Sequence, residues 1–437
     1  TIQPLSVLVS QEAGRTSRTA YFYNGGVKPT KYFRTSLGYE LEGTDNHRVK
    51  VLDKNCEIVW RYLGDIQEGE YICVNRSNRL FVRDYVDLTP YHAGSKESLP
   101  RLLDETWGEL LGLLVGDGCW TTKGRISLVS GERANEDYYI GLFRDLFGRV
   151  SYLPDKRKNN VGAVSLYSSE MRDFLDRLGW VLDSTPFTKE VPHVIMRSPE
   201  AVICAFLRGL FETDGTAHNT HVSFTSVSRN LAKQVQQLLL ILGIVSSCRT
   251  SCANRPNEWR VRLVGNFSKR LFRDKINFIS ERKKKDLDLV LSNLQAQDIK
   301  TDMIPFLTEK LSRLLSNSGV LKSTLRVESK NTSYLKLRKA FDLLDLKGKS
   351  EVSHLLDSNY YFDPVVCVEN RESRVYDLNV PDGASFMANG FTNHNTTISA
   401  CIAAYETYKL IKLGDPQKYY GLPASNNIQI ISVATDK

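Results

Sequence analysis

"ELLGLLVGDGCW", residues 109–120, and "AFLRGLFETDGTA", residues 205–217, decide the fold. Aligned on the acid, Leu111-Gly112-Leu113-Leu114-Val115-Gly116-Asp117-Gly118 faces Arg208-Gly209-Leu210-Phe211-Glu212-Thr213-Asp214-Gly215, and the two aspartates are 97 residues apart. Gly108, Gly112 and Gly116 recur every four residues, as do Ala205, Gly209 and Thr213. Residues four apart share a helix face, so each run predicts a helix with a stripe of small side chains. Two such stripes let two helix backbones approach closely. Both helices end at an Asp-Gly step, so their packing brings Asp117 beside Asp214. Adjacent carboxylates repel unless something positive lies between them. A divalent metal meets that need, and oxygen ligands suit Mg²⁺.

The likeness continues downstream. "ISLVS" (126–130) matches "VSFTS" (222–226), and each is followed by a helical run ending in Gly, "IGLFRDLFG" and "QLLLILG". Two strand-like pieces follow in each copy, then an amphipathic helix, "MRDFLDRLG" or "FSKRLFRDKINF". The unit reads helix–strand–strand–helix–strand–strand–helix, twice. Net charge is +8 over 437 residues, yet residues 249–285 alone carry twelve Lys and Arg against three acids. Such a block fits neutralisation of nucleic-acid phosphates.

These two motifs at this spacing, with "VPHVIMRSPEAVICAFLRGLFETDG" and "DKINFISERKKK", resemble the LAGLIDADG homing endonucleases in the form with both motifs on one chain. The resemblance covers about 100–290. It implies an α+β domain of two αββαββα repeats, acting as a monomer with pseudo-two-fold symmetry, whose strands lie in the major groove of double-stranded DNA. It further implies that Asp117 and Asp214 hold Mg²⁺ with help from the carbonyls of Gly116 and Thr213, and that Lys275 or a nearby basic residue assists.

The flanks are strand-like. "YELEGTDNHRVKVL" (39–52) alternates apolar and polar positions as a half-buried strand does. "EIVWRYLGDIQEGEYICV" (57–74) continues the pattern, 297–357 reads as helical and polar, and 360–395 returns to short strands separated by "ENRES" and "PDG". Strands at each end with an α/β unit inserted predict one β domain interrupted by another. "GTDNHRV" resembles the Thr-x-x-His block of inteins, with Thr44 and His47. "RVYDLNV" resembles the penultimate block, with Asp377, and "NGFTNHN" followed by Thr resembles the splice junction. The resemblance implies an all-β Hint (horseshoe) splicing domain. Asn395 would cyclise with help from His394, and Thr396 would accept the upstream segment through its hydroxyl. His47, supported by Thr44, would protonate the upstream scissile amide, and Asp377 would relay protons. Two departures stand out. Ala384 occupies a place where many inteins carry a His. Only 46 residues precede His47, so the first block is expected to be missing from an incomplete N-terminus, leaving at most cleavage at Asn395.

"TTISACIAAYETYKLIKLGDPQKYYGLPASNNIQIISVATDK" (396–437) reads as a helix over 398–412, a Gly/Pro loop and a buried strand, "IQIISVA". It resembles the start of the α/β P-loop ATPase domain of phage terminase large subunits, just after the phosphate-binding loop, and so implies a host extein in cis. The expected division is 1–95 and 358–395 for the two halves of the splicing domain, 96–296 for the endonuclease, 297–357 for a helical connector and 396–437 for the host fragment. The alternative is an endonuclease or DNA-binding module without self-processing. No apolar run approaches eighteen residues, no secretion signal is visible, and the eight cysteines are scattered. A cytoplasmic protein needing no membrane and no cofactor beyond Mg²⁺ is the expectation.

Overall fold

The computed structural model describes residues 2–76, 82–95, 98–121, 124–130, 133–154, 162–180, 185–252, 255–293, 302–321, 332–394, 408–421 and 423. Two compact units divide the chain: Thr1–Thr35, Glu40–Val74 and Asp363–Lys437 form one, Ser36–Tyr39 and Asn75–Phe362 the other. Among the described residues no helix is long and apolar enough to cross a membrane.

From its start to residue 394 the first unit is built on antiparallel strands. Tyr21–Thr35 pairs on one side with Ile2–Pro4 and on the other with Tyr360–Asn379, the latter in register from Val365 opposite Thr35 to Asn379 opposite Tyr21. Strand Phe391–His394 lies between Tyr71–Asn75 and Arg48–Leu52, and also pairs with Ser385–Ala388. Phe33, Val49, Ile72 and Phe391 are fully buried, which is how a sheet made from distant segments hides its apolar face.

Two local expectations change. "ENRES" (369–373) is not a turn: it lies inside the 20-residue strand Tyr360–Asn379. Its polarity reflects an outward face, where Arg371 stacks over Tyr32 at 3.6 Å and pairs with Glu369 and Glu42. "YELEGTDNHRVKVL" is not one strand but two, Glu40–Gly43 and Arg48–Leu52. A turn closes between them through His47 N–H to Thr44 O at 2.9 Å. The "PDG" turn is present, with Gly383 at φ +82°.

The second unit holds ten helices among its described residues. α1 (Glu105–Asp117), α2 (Arg133–Phe147) and α3 (Ser169–Leu178) alternate with strand pairs, as do α4 (Glu200–Asp214), α5 (Arg229–Ile241) and α6 (Gly265–Lys275). α7 (Glu281–Ser292), α8 (Leu307–Asn317), α9 (Tyr334–Phe341) and α10 (Leu346–Asp357) follow. Each copy folds as αββαββα, and each builds a four-stranded antiparallel sheet with its first, second, fourth and third strands side by side. One core runs through both copies, from Trp107 and Phe143 to Phe224 and Phe272. Alternation sets the outer faces: Val222, Phe224, Val261 and Leu263 turn inward, leaving Arg260 and Arg262 on the opposite face, level with Thr225 and Ser223.

The start of the expected host helix, 398–407, and the "IQIISVA" strand lie outside the described residues; 408–412 is helical and Pro416–Tyr419 forms a further short helix.

Candidate functional sites

The small-residue stripes meet as their spacing requires. A Cβ added at Gly112 would lie 2.0 Å from Phe206 O, and one at Gly209 would lie 2.3 Å from Glu109 O. At Gly116 it would fall 1.9 Å from Thr213 Oγ1. α1 and α4 therefore touch backbone to backbone, and both end at their aspartate, where Gly118 and Gly215 turn the chain into a strand. Burial pushes the Asp214 carboxyl up to about 6, and the charge of Asp117 adds to the rise. Asp117 presents an exposed surface, yet the packed helix ends strip part of its hydration and raise its pKa as well. Lys189 and Lys283 oppose both shifts.

Those lysines close the helix ends. Lys189 Nζ donates to Gly116 O at 2.6 Å. Lys283, 8% exposed, donates to Gly215 O at 2.8 Å, Phe211 O at 3.3 Å and Glu212 O. Cations at a helix C-terminus are favoured by the unpaired carbonyls there. Lys275 is placed elsewhere: it pairs with Glu200, the first residue of α4, about 20 Å along the helix from Asp214. The sequence reading missed Lys189 and Lys283, although one signal was present: they follow their motif aspartates by 72 and 69 residues.

As a metal site the donor set is short. The two carboxylates lie close enough for the charge of Asp117 to raise the pKa of Asp214, and the Gly116 carbonyl is already engaged by Lys189. Among the described residues no group of three or more His, Cys, Asp or Glu is placed to hold a metal. Mg²⁺ is commonly held by one or two carboxylates together with substrate phosphates, so the pair fits that ion.

The other site lies within the first unit. A cavity of about 460 Å³ is lined by Thr44, His47, Asp377 and His394 together with Asn393, Glu42 and others. Four predicted residues separated by as many as 350 positions thus share one space. His47 follows the tight turn, its carbonyl accepts from Leu63 N–H at 2.7 Å, and its Nε2 meets Asn393 Oδ1 at 2.8 Å. Burial lowers its pKa below the usual imidazole value, against the Asn393 bond. Thr44 supports His47 through its backbone carbonyl, while its hydroxyl donates to Asn46 Oδ1 at 2.7 Å. Asp377 is pushed up to about 6 by burial, and a hydrogen bond from Leu378 N–H at 2.8 Å returns part of the cost. The His394 ring packs edge-on against Trp60 with centroids 5.0 Å apart. Asn395 and Thr396 lie outside the described residues.

Known proteins similar to this chain are of several kinds. It is 25% identical over 405 residues to a replicative DNA helicase DnaB of Nostoc sp., covering 86% of this chain and 44% of the helicase. It is 25% identical to a replication factor C small subunit of Methanocaldococcus jannaschii, covering 84% and 19%. With a DNA gyrase polypeptide of Mycobacterium kansasii it shares 27% identity, covering 86% and 68%. The chain thus spans less than half the length of that helicase and that replication factor. Among solved structures, the homing endonuclease I-DmoI aligns at 13% identity and TM-score 0.33, covering 40% of this chain and 91% of its own. The N-terminal LAGLIDADG domain of DUF199/WhiA aligns at 18% and 0.31, covering 48% and 98%. Residues 201–277, from α4 through the end of α6, match the family model described as LAGLIDADG-like domain, and the chain carries such a domain.

Proposed function

We propose that the chain is an intein with an embedded LAGLIDADG DNA endonuclease, followed by a fragment of its host protein. The observation that carries the self-processing half is the shared cavity of Thr44, His47, Asp377 and His394. A second support is the range of relatives. More than four-fifths of this chain aligns with each of a helicase, a replication factor and a gyrase. Proteins of three activities share such a stretch if each hosts the same kind of insertion. The step assigned to this chain is C-terminal. The side-chain nitrogen of Asn395 attacks its own backbone carbonyl, the bond to the Thr396 nitrogen breaks, a succinimide forms, and the departing amine takes a proton with help from His394. Asp377, its pKa pushed up to about 6 by burial, is suited to relay protons in the same cavity.

In the endonuclease half, Asp117 and Asp214 would hold Mg²⁺, with DNA phosphates completing its shell. When bound, the metal would supply an activated water and stabilise the leaving oxygen. Lys189 and Lys283 supply positive charge beside the scissile phosphates. The outward Arg260 and Arg262 meet the DNA backbone of the second half-site. The host fragment from Thr396 is read as terminase-like, so the host ATPase stays inactive until joining rebuilds its phosphate loop.

Mass spectrometry of the expressed chain tests the first half. A released 42-residue piece beginning at Thr396, lost in Asn395→Ala, is the expected result; an intact chain after long incubation refutes it. For the second half, Mg²⁺-dependent nicking of plasmids bearing the uninterrupted host gene should vanish in Asp117→Asn. Binding without nicking in the parent chain would leave a DNA-binding module.

A further inference from the structure

We propose that Asn393 is a positioning residue that holds His47 as its Nε2–H tautomer, leaving Nδ1 as the bare, proton-accepting nitrogen. Its consequence for catalysis rests on the self-processing reading, but its evidence is the hydrogen-bond geometry. Asn393 is 1% exposed and lies in strand Phe391–His394. Its side-chain nitrogen donates to Phe391 O at 2.8 Å and Ala388 O at 3.4 Å. Carbonyl oxygens only accept, so the amide NH₂ must face them and Oδ1 must face the imidazole. That oxygen accepts too, and it sits 2.8 Å from His47 Nε2. The ring nitrogen there must therefore carry the hydrogen.

Nothing competes for the other arrangement: among the described residues Nδ1 has no hydrogen-bond partner. The His47 backbone is bonded on both sides, to Thr44 O and from Leu63 N–H. Burial also favours the neutral ring, and only a neutral ring has a tautomer to fix. Asn393 directly precedes His394, and its backbone pairs with Val49, two residues after His47. One amide thus ties the histidine of the upstream step to the strand bearing the downstream junction.

The test is ¹⁵N NMR of the full chain with labelled histidines, of which there are seven, assigning His47 by its loss in His47→Gln. Above the His47 pKa, a single species protonated at Nε2 is expected. Asn393→Leu should replace it with an averaged mixture of tautomers. A wild-type ring protonated at Nδ1 overturns the proposal, whether or not the variants fold. So does an Asn393→Leu chain whose His47 signals are unchanged. Release of the piece beginning at Thr396, followed separately, distinguishes the two claims. No release with the Nε2–H form intact refutes self-processing and leaves the tautomer assignment standing.

Discussion

The carboxyl group of Asp377 loses hydration to the strands around it and recovers one backbone donor, Leu378 N–H. Its folded pKa of about 6 lies above the unfolded value of about 3.9. The folded state therefore binds the proton more tightly. The stabilisation is fully present below the unfolded pKa and is lost as pH rises through about 6. An Asn at 377 keeps the acceptor for Leu378 N–H and carries no charge. Asp377→Asn should flatten urea-unfolding stability between pH 4 and 7 and gain roughly 2 kcal/mol at pH 7. An unchanged pH profile would mean that the group is hydrated in solution. At this scale the sequence told residue type and order but not partners. Thr44 and His47 were legible as a motif, yet the ring of His47 meets Asn393, which the sequence showed only as one residue of the junction motif "NGFTNHN". Lys283 was hidden among twelve cations whose run looked uniform. Only the fold separates the buried Lys283 from its exposed neighbours Arg282 and Lys285.

Among the elements, α1 and α4 were the most legible, because a four-residue repeat of small residues has one physical use, close approach of backbones. That contact is also the most intolerant of volume. A methyl group at Gly112 would sit 2.0 Å from a main-chain oxygen, and backbone cannot rotate out of the way. Gly112→Ala should cost about 3 kcal/mol or more in denaturant unfolding and spread the two aspartates. Gly141, on α2, has nothing within 4 Å of the same added atom, so Gly141→Ala should gain about 0.5–1 kcal/mol from helix propensity alone. If both changes cost the same, glycine is needed for something other than proximity. The long strand Tyr360–Asn379 was illegible for the opposite reason. Its exposed face carries charges that look like a loop, and their cross-strand partners, Tyr32 and Glu42, lie more than 300 residues away. In the second copy the alternation that buries Val261 and Leu263 leaves Arg260 and Arg262 outward. Replacing either arginine by Ala should lower the salt slope of duplex-DNA affinity by about 1, read by titration at several salt concentrations.

For the whole molecule, two units on one chain raise the question of whether the first can stand without the second. The chain leaves the β unit after Val74 and re-enters at Asp363. Just inside those points, Gly69 N–H donates to Val365 O at 2.9 Å and Val365 N–H to Glu70 O at 2.8 Å. The exit and the return therefore run side by side on neighbouring strands, and a short flexible linker spans neighbours at little entropic cost. Ser36–Tyr39 complicates the cut, because this loop belongs to the second unit. There Leu37 O accepts from Gln236 and from Cys248 N–H. Deleting 75–362 strips that cover, so Leu37 and Tyr39 should be made polar to avoid an exposed apolar patch. The shortened chain is expected to unfold in one cooperative transition and to release the same piece from Thr396 onward at a rate within a few-fold of the parent. A chain that folds but releases nothing would mean that the junction needs the second unit. A chain that fails to fold even with the polar loop would mean that the β unit is not independent, and that the insertion has become part of its stability.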